Sequence, residues 1–117
     1  MTEPTRIFHN PRCSKSRQTL ELLNERGIEP EIIRYLETPP TAEELGNILD
    51  MLGCQPRELM RTKETEYRER GLDNPELSRE QLLQAMSEHP KLIERPIVVR
   101  NNKAALGRPP ENVLTIL

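Results

Sequence analysis

The stretch Thr5-Arg6-Ile7-Phe8-His9-Asn10-Pro11-Arg12-Cys13-Ser14-Lys15-Ser16-Arg17 is a short strand that runs through a proline-bearing loop into a helix. Thr5 to His9 is the strand, with Ile7 and Phe8 as its apolar part. Ser14 to Arg26 is the helix; Leu20 and Leu23 share one face and Gly27 stops it. Cys13 therefore stands at a helix N-terminus. Unpaired backbone N–H groups and a partial positive charge collect there, and both stabilise a thiolate. Arg12, Lys15 and Arg17 act in the same direction, so a thiol pKa below the usual ~8.5 is expected. The same amides can cradle an oxyanion. The competing reading is a small buried cysteine at a junction, but structural cysteines sit in apolar surroundings. Here the neighbours are cations and hydroxyls.

Outward from this segment, Glu31 to Tyr35 forms a second strand around Ile32 and Ile33. A strand, a helix and a strand of these lengths predict a βαβ unit with a parallel pair. Pro39-Pro40 interrupts the chain, and three helices follow. The first opens on the capping box Thr41-Ala42-Glu43-Glu44. Its Leu45, Ile48, Leu49 and Leu52 recur at helical spacing, and Gly53 closes it. The second runs from about Pro56 to Arg70, before Gly71. The third opens on a second capping box, Ser78-Arg79-Glu80-Gln81, and ends before Pro90. After Arg95-Pro96 come a strand, Ile97-Val98-Val99, a turn at Asn101-Asn102 and a return strand, Ala104 to Leu106. Gly107-Arg108-Pro109-Pro110 leads into a short last helix carrying Val113, Leu114 and Ile116. The order is β-α-β-(ααα)-β-β-α: an α/β fold in one domain, residues 1–117, with a helical insertion at about 41–89.

Composition narrows the function classes. The chain has 117 residues, enough for one core. Its net charge of -2 offers no basic excess for nucleic-acid phosphates. No run approaches the ~18 apolar residues of a membrane span, and no secretory signal is visible. A cytoplasmic, monomeric protein is expected. Cys13 and Cys54 are spaced neither as a disulfide framework nor as a zinc site, and no metal is expected. Cys54 follows the helix-ending Gly53 and is either a packing residue or a second thiol.

Five ordered blocks carry a resemblance: His9-Asn10-Pro11-Arg12-Cys13-Ser14-Lys15-Ser16-Arg17, Tyr35-Leu36-Glu37-Thr38-Pro39, Glu58-Leu59-Met60-Arg61, Glu94-Arg95-Pro96-Ile97-Val98-Val99 and Gly107-Arg108-Pro109. With them the chain resembles the glutaredoxin-coupled arsenate reductases, within a short subgroup. The resemblance implies a thioredoxin-like mixed sheet with an inserted helical segment. It places Pro96 where such domains carry a cis proline beside the active cysteine. It implies that Cys13 attacks arsenate and that Arg61, Arg95 and Arg108 hold the oxyanion. An always-charged guanidinium with a planar fork of donors suits that task. His9, Asn10, Ser16 and Arg17 are supporting residues by the same resemblance. His9 either lowers the thiol pKa as a cation or is a satisfied structural residue.

The implied partners are arsenate or a similar oxyanion, glutathione as co-substrate and glutaredoxin. No bound cofactor, nucleic acid or membrane is expected. Position 16 is serine, so the loop cannot form an internal Cys-x-x-Cys disulfide, and turnover needs an outside thiol. The loop reads Ser-Lys-Ser after Cys13, where the family's resistance enzymes have Gly-Thr-Ser. Two alternatives share the fold. A stress regulator that binds RNA polymerase would use the Cys-x-x-Cys switch that Ser16 removes. A thiol reductase of another substrate would keep Cys13 without needing all three arginines.

Overall fold

The computed structural model describes residues 4–117. The chain forms two compact units, Met1–Thr38 with Arg95–Leu117, and Pro39–Glu94.

The first unit holds the sheet. Its strands are β1 (Arg6–Phe8), β2 (Glu31–Ile33), β3 (Ile97–Arg100) and β4 (Lys103–Leu106), in the order β2-β1-β3-β4. β1 and β2 are parallel, joined by α1 (Ser14–Glu25); β1–β3 and β3–β4 are antiparallel. This mixed sheet is the thioredoxin-like arrangement that the motif order predicts. Ile7, Val98 and Ala105 stand side by side in register. With Leu23 and Val113 they make a buried cluster, and Leu20, Leu22, Ile28 and Ile116 pack against it. Ile7, Leu23, Val98 and Val113 are fully buried, and each contributes about 1.5–3 kcal/mol by leaving water. The β3–β4 hairpin turns at Asn101 and Asn102, both at positive φ (51° and 61°). Asparagine tolerates that conformation, which matches the twist of the flanking strands.

The second unit contains α2 (Ala42–Leu52), α3 (Thr65–Glu69) and α4 (Arg79–Glu88). Both predicted capping boxes form, Thr41 with Glu44 and Ser78 with Gln81. Leu45, Ile48 and Leu49 of α2 and Leu82, Leu83 and Met86 of α4 are buried where these two helices pack. Arg79 ties them together, donating to the Gly46 carbonyl at 3.0 Å and to Asp50 at 2.9 Å.

Two elements differ from the sequence reading. The helix expected from Pro56 to Arg70 is a 3₁₀ turn, Pro56–Leu59, followed by the five-residue α3. Met60 is extended between them and bridges Ile93. The bridge is anchored by Arg61 N–H to Leu92 O at 2.7 Å and Glu94 N–H to Leu59 O at 2.8 Å. Those bonds satisfy backbone groups that a continuous helix would pair locally. The last helix is a 3₁₀ segment, Pro110–Ile116. Pro109 and Pro110 bring no N–H to its start, and the Thr115 hydroxyl donates to the Asn112 carbonyl at 2.8 Å.

Gly107 follows β4 where the chain crosses α1. A Cβ built there would lie 2.6 Å from Thr19 Oγ1 and 2.8 Å from Pro96 Cγ. Thr19 cannot easily yield, because it is fully buried and its hydroxyl donates to Lys15 O at 2.8 Å. Gly107→Ala is expected to lower stability by about 1–3 kcal/mol, the usual effect of overpacking. Urea titration would check it, and an unchanged midpoint would refute the close packing.

Candidate active site

The loop between β1 and α1 is built by its own polar groups. The His9 amide donates to Ile33 O at 2.8 Å, fixing the loop to the end of β2. Cys13 N–H donates to Asn10 O at 3.0 Å, closing a turn with Pro11 at its second position, which proline's fixed φ favours. Asn10 Oδ1 accepts from Arg12 N–H at 3.0 Å, and Ser16 Oγ accepts from Asn10 N–H at 3.0 Å. The Arg17 guanidinium donates to Pro11 O at 2.9 Å. Asn10, Ser16 and Arg17 thus hold the backbone that carries Cys13.

Cys13 is the N-cap residue of α1, in an extended conformation. The thiol is free and buried. Burial pushes its pKa up. The Ser16 amide, the Arg95 charge, the Lys15 amide and a hydrogen bond from the Arg95 side chain together outweigh that, and the thiol lies below its ordinary value. The thiolate is therefore held by first-turn N–H groups and one guanidinium. Cys54 is the contrast. Burial and the Glu58 carboxylate raise its pKa against a smaller pull from Arg79, so it stays a protonated thiol.

His9 is buried, and its Nδ1 lies 2.6 Å from Ser16 Oγ. Burial lowers its pKa, and the charges of Arg34 and Arg17 lower it further. The neutral ring is thus favoured, and its Nδ1 is tied to the Ser16 hydroxyl. The positive charge acting on the thiolate comes from Arg95, and His9 serves the loop's hydrogen bonding. The folded-state pKa of His9 lies below 6.5, its unperturbed value. Between the two values the unfolded chain binds more protons, so stability rises with pH through that window. The contribution is fully present above 6.5 and is lost as pH falls below it. His9→Asn keeps an acceptor near the Nδ1 position and removes the titration. Its urea midpoint is expected to drop less than the wild-type midpoint between pH ~7.5 and ~5.5; equal drops would show that His9 does not titrate this way.

Arg95 and Pro96 are joined by a cis peptide bond, as expected from the fold, and so are Arg108 and Pro109, which the sequence did not announce. Arg108 Nη1 donates to the Arg95 carbonyl at 3.3 Å. The Gly107 amide donates to Pro96 O at 2.8 Å. Cys13, His9, Asn10, Ser16, Arg17, Arg95, Pro96 and Arg108 all belong to the first unit. Arg61 belongs to the second, where its guanidinium pairs with Glu64 at 2.7 Å. The sequence reading missed Arg34, which follows β2 and acts on His9. A lone exposed arginine after a strand gives no signal of that.

Among the described residues, no helix is long and apolar enough to cross a membrane. The ArsC family model matches residues 8–116. The protein YfgD of Escherichia coli K12 is 58% identical over 118 residues, covering 100% of this chain and 99% of that protein. An arsenate reductase of Neisseria meningitidis is 55% identical over 113 residues, covering 96% of this chain and 97% of the relative. The solved structure of an arsenate reductase from Vibrio cholerae superposes with a TM-score of 0.95 at 55% identity, covering 97% of this chain and 98% of that one. The fold is thus shared with these relatives, and the chain belongs to the ArsC family.

Proposed function

We propose that this protein is an arsenate reductase whose nucleophile is Cys13 and whose electrons come from glutathione. The observation that carries the reading is the Cys13 thiol. It is held below its ordinary pKa by the Ser16 and Lys15 amides and by Arg95, despite its burial.

In the proposed first step the Cys13 thiolate attacks arsenic(V). An S–As bond forms and an As–O bond breaks; the departing oxygen takes two protons and leaves as water. Arg95, with Arg108 donating to its carbonyl, supplies guanidinium donors for the remaining oxygens, and charge-assisted bonds of this kind are the stronger ones. In the second step a glutathione thiolate attacks the Cys13 sulfur. An S–S bond forms, and the S–As electron pair leaves with arsenic, which becomes arsenic(III) and is released as arsenite after protonation. A second thiol, from glutaredoxin or glutathione, attacks the mixed disulfide and returns Cys13 to thiolate. Two thiols are oxidised to one disulfide for each arsenate reduced. Ser16 supports the outside-thiol route, because the loop has no resolving cysteine.

The test is arsenate-dependent NADPH oxidation with glutathione, glutaredoxin and glutathione reductase supplied. Turnover that requires arsenate and glutathione together is expected. A folded protein whose Cys13 titrates as a low-pKa thiol but shows no turnover would refute the reading.

A further inference from the structure

A cavity of about 240 Å³ opens beside the Cys13 loop. Its wall includes His9, Arg12, Arg34, Leu36 and Glu37 together with Asn10 and Pro11 of the loop. Arg34 and Glu37 are fixed to one another by a turn, in which the Glu37 and Thr38 amides both donate to Arg34 O at 2.9 Å. Among the described residues neither of these two side chains forms an ion pair. His9 is only 6% exposed, and its Nδ1 is taken by Ser16.

This lining sorts by charge. Two guanidiniums, Arg12 and Arg34, match a carboxylate. One carboxylate, Glu37, matches an ammonium. Leu36, 41% exposed, offers an apolar patch between polar groups. A carboxylate and an ammonium on one carbon are an amino-acid zwitterion. We propose that the cavity binds the free α-amino and α-carboxylate groups at the γ-glutamyl end of glutathione. The carboxylate lies toward Arg12 and Arg34, and the ammonium lies toward Glu37. The glutathione cysteine is joined directly to this γ-glutamyl residue, so its thiol lies within a few bonds of the anchored end, and Cys13 follows Arg12 of the lining in the chain. The assignment rests on glutathione being the electron donor; it does not rest on arsenate.

The test therefore omits arsenate. In a Cys54→Ser background, the rate of mixed-disulfide formation at Cys13 is followed by intact mass with two oxidants. One is glutathione disulfide. The other is 2-hydroxyethyl disulfide, which has neither carboxylate nor ammonium. In each reaction the Cys13 thiolate attacks one sulfur, the Cys13 S–S bond forms, and the other half leaves as thiolate. The ratio of the two rates cancels any change in the intrinsic reactivity of Cys13. Arg34→Gln and Glu37→Gln are each expected to lower the ratio of the glutathione-disulfide rate to the 2-hydroxyethyl-disulfide rate about tenfold, corresponding to ~1.4 kcal/mol from a lost charge-assisted contact. Both positions are exposed, so folding is preserved. An unchanged ratio in both variants overturns the proposal. A protein that shows the ratio loss but no arsenate turnover keeps the subsite and refutes the arsenate reading alone.

Discussion

Cys13→Ser is expected to lower arsenate-dependent turnover by more than about a thousandfold, because a serine hydroxyl stays protonated where the thiol ionises. Cys54→Ser is expected to leave the rate within about twofold, since a raised-pKa thiol is a poor nucleophile. The two cysteines make a matched pair for this purpose. Both feel burial, yet one is opposed by two amides and a guanidinium and the other is joined by a carboxylate. Alkylation with iodoacetamide as a function of pH gives a second readout without arsenate. Cys13 should react through a lower apparent pKa than Cys54. Full activity in Cys13→Ser together with its loss in Cys54→Ser would reverse the assignment.

The second large effect is expected at Arg95. Its guanidinium both attracts the Cys13 thiolate and hydrogen-bonds to it. Arg95→Ala removes both, so the apparent thiol pKa should rise and kcat/KM for arsenate should fall about a hundredfold, the size of a lost oxyanion donor. Arg95→Lys separates the two contributions. Lysine keeps the charge and loses the planar fork. The thiol pKa should then stay near the wild-type value while KM for arsenate rises. If Arg95→Ala left the alkylation profile of Cys13 unmoved, the thiolate would be held by the helix amides alone.

Much of the fold was legible because its signals are local. Cys13 at the start of α1 follows from a short apolar strand, a proline and a helical run. The two capping boxes form from residues three apart, and the hairpin tip from two asparagines. The break at Met60 was not legible, because its partner Ile93 lies more than thirty residues away and a charged, periodic stretch around it imitates a helix. The chemistry of the site divides in the same manner. Arg95 stood out beside Pro96 and an apolar strand. His9 left two readings open, and only its 2.6 Å contact with Ser16 and the nearby charges of Arg34 and Arg17 select the neutral ring. Gly107 carried no sign of its role, since the atoms that forbid a side chain there come from Thr19 of α1 and from Pro96, just before β3.

The β3–β4 hairpin separates two duties by its own length. Pro96 precedes one strand and Gly107 follows the other, while Asn101 and Asn102 lie at the opposite end, four residues or about 13 Å along the sheet. Both asparagines are exposed. The tip is therefore the natural place to attach a reporter to this protein. A short epitope or fluorogenic peptide inserted between Asn101 and Asn102 would stand clear of the thiol, where maleimide dyes, the usual choice, would modify Cys13 itself. Immobilisation through such a tag would leave the reactive end of the sheet facing solution, ready for single-molecule or surface-based assays of thiol exchange.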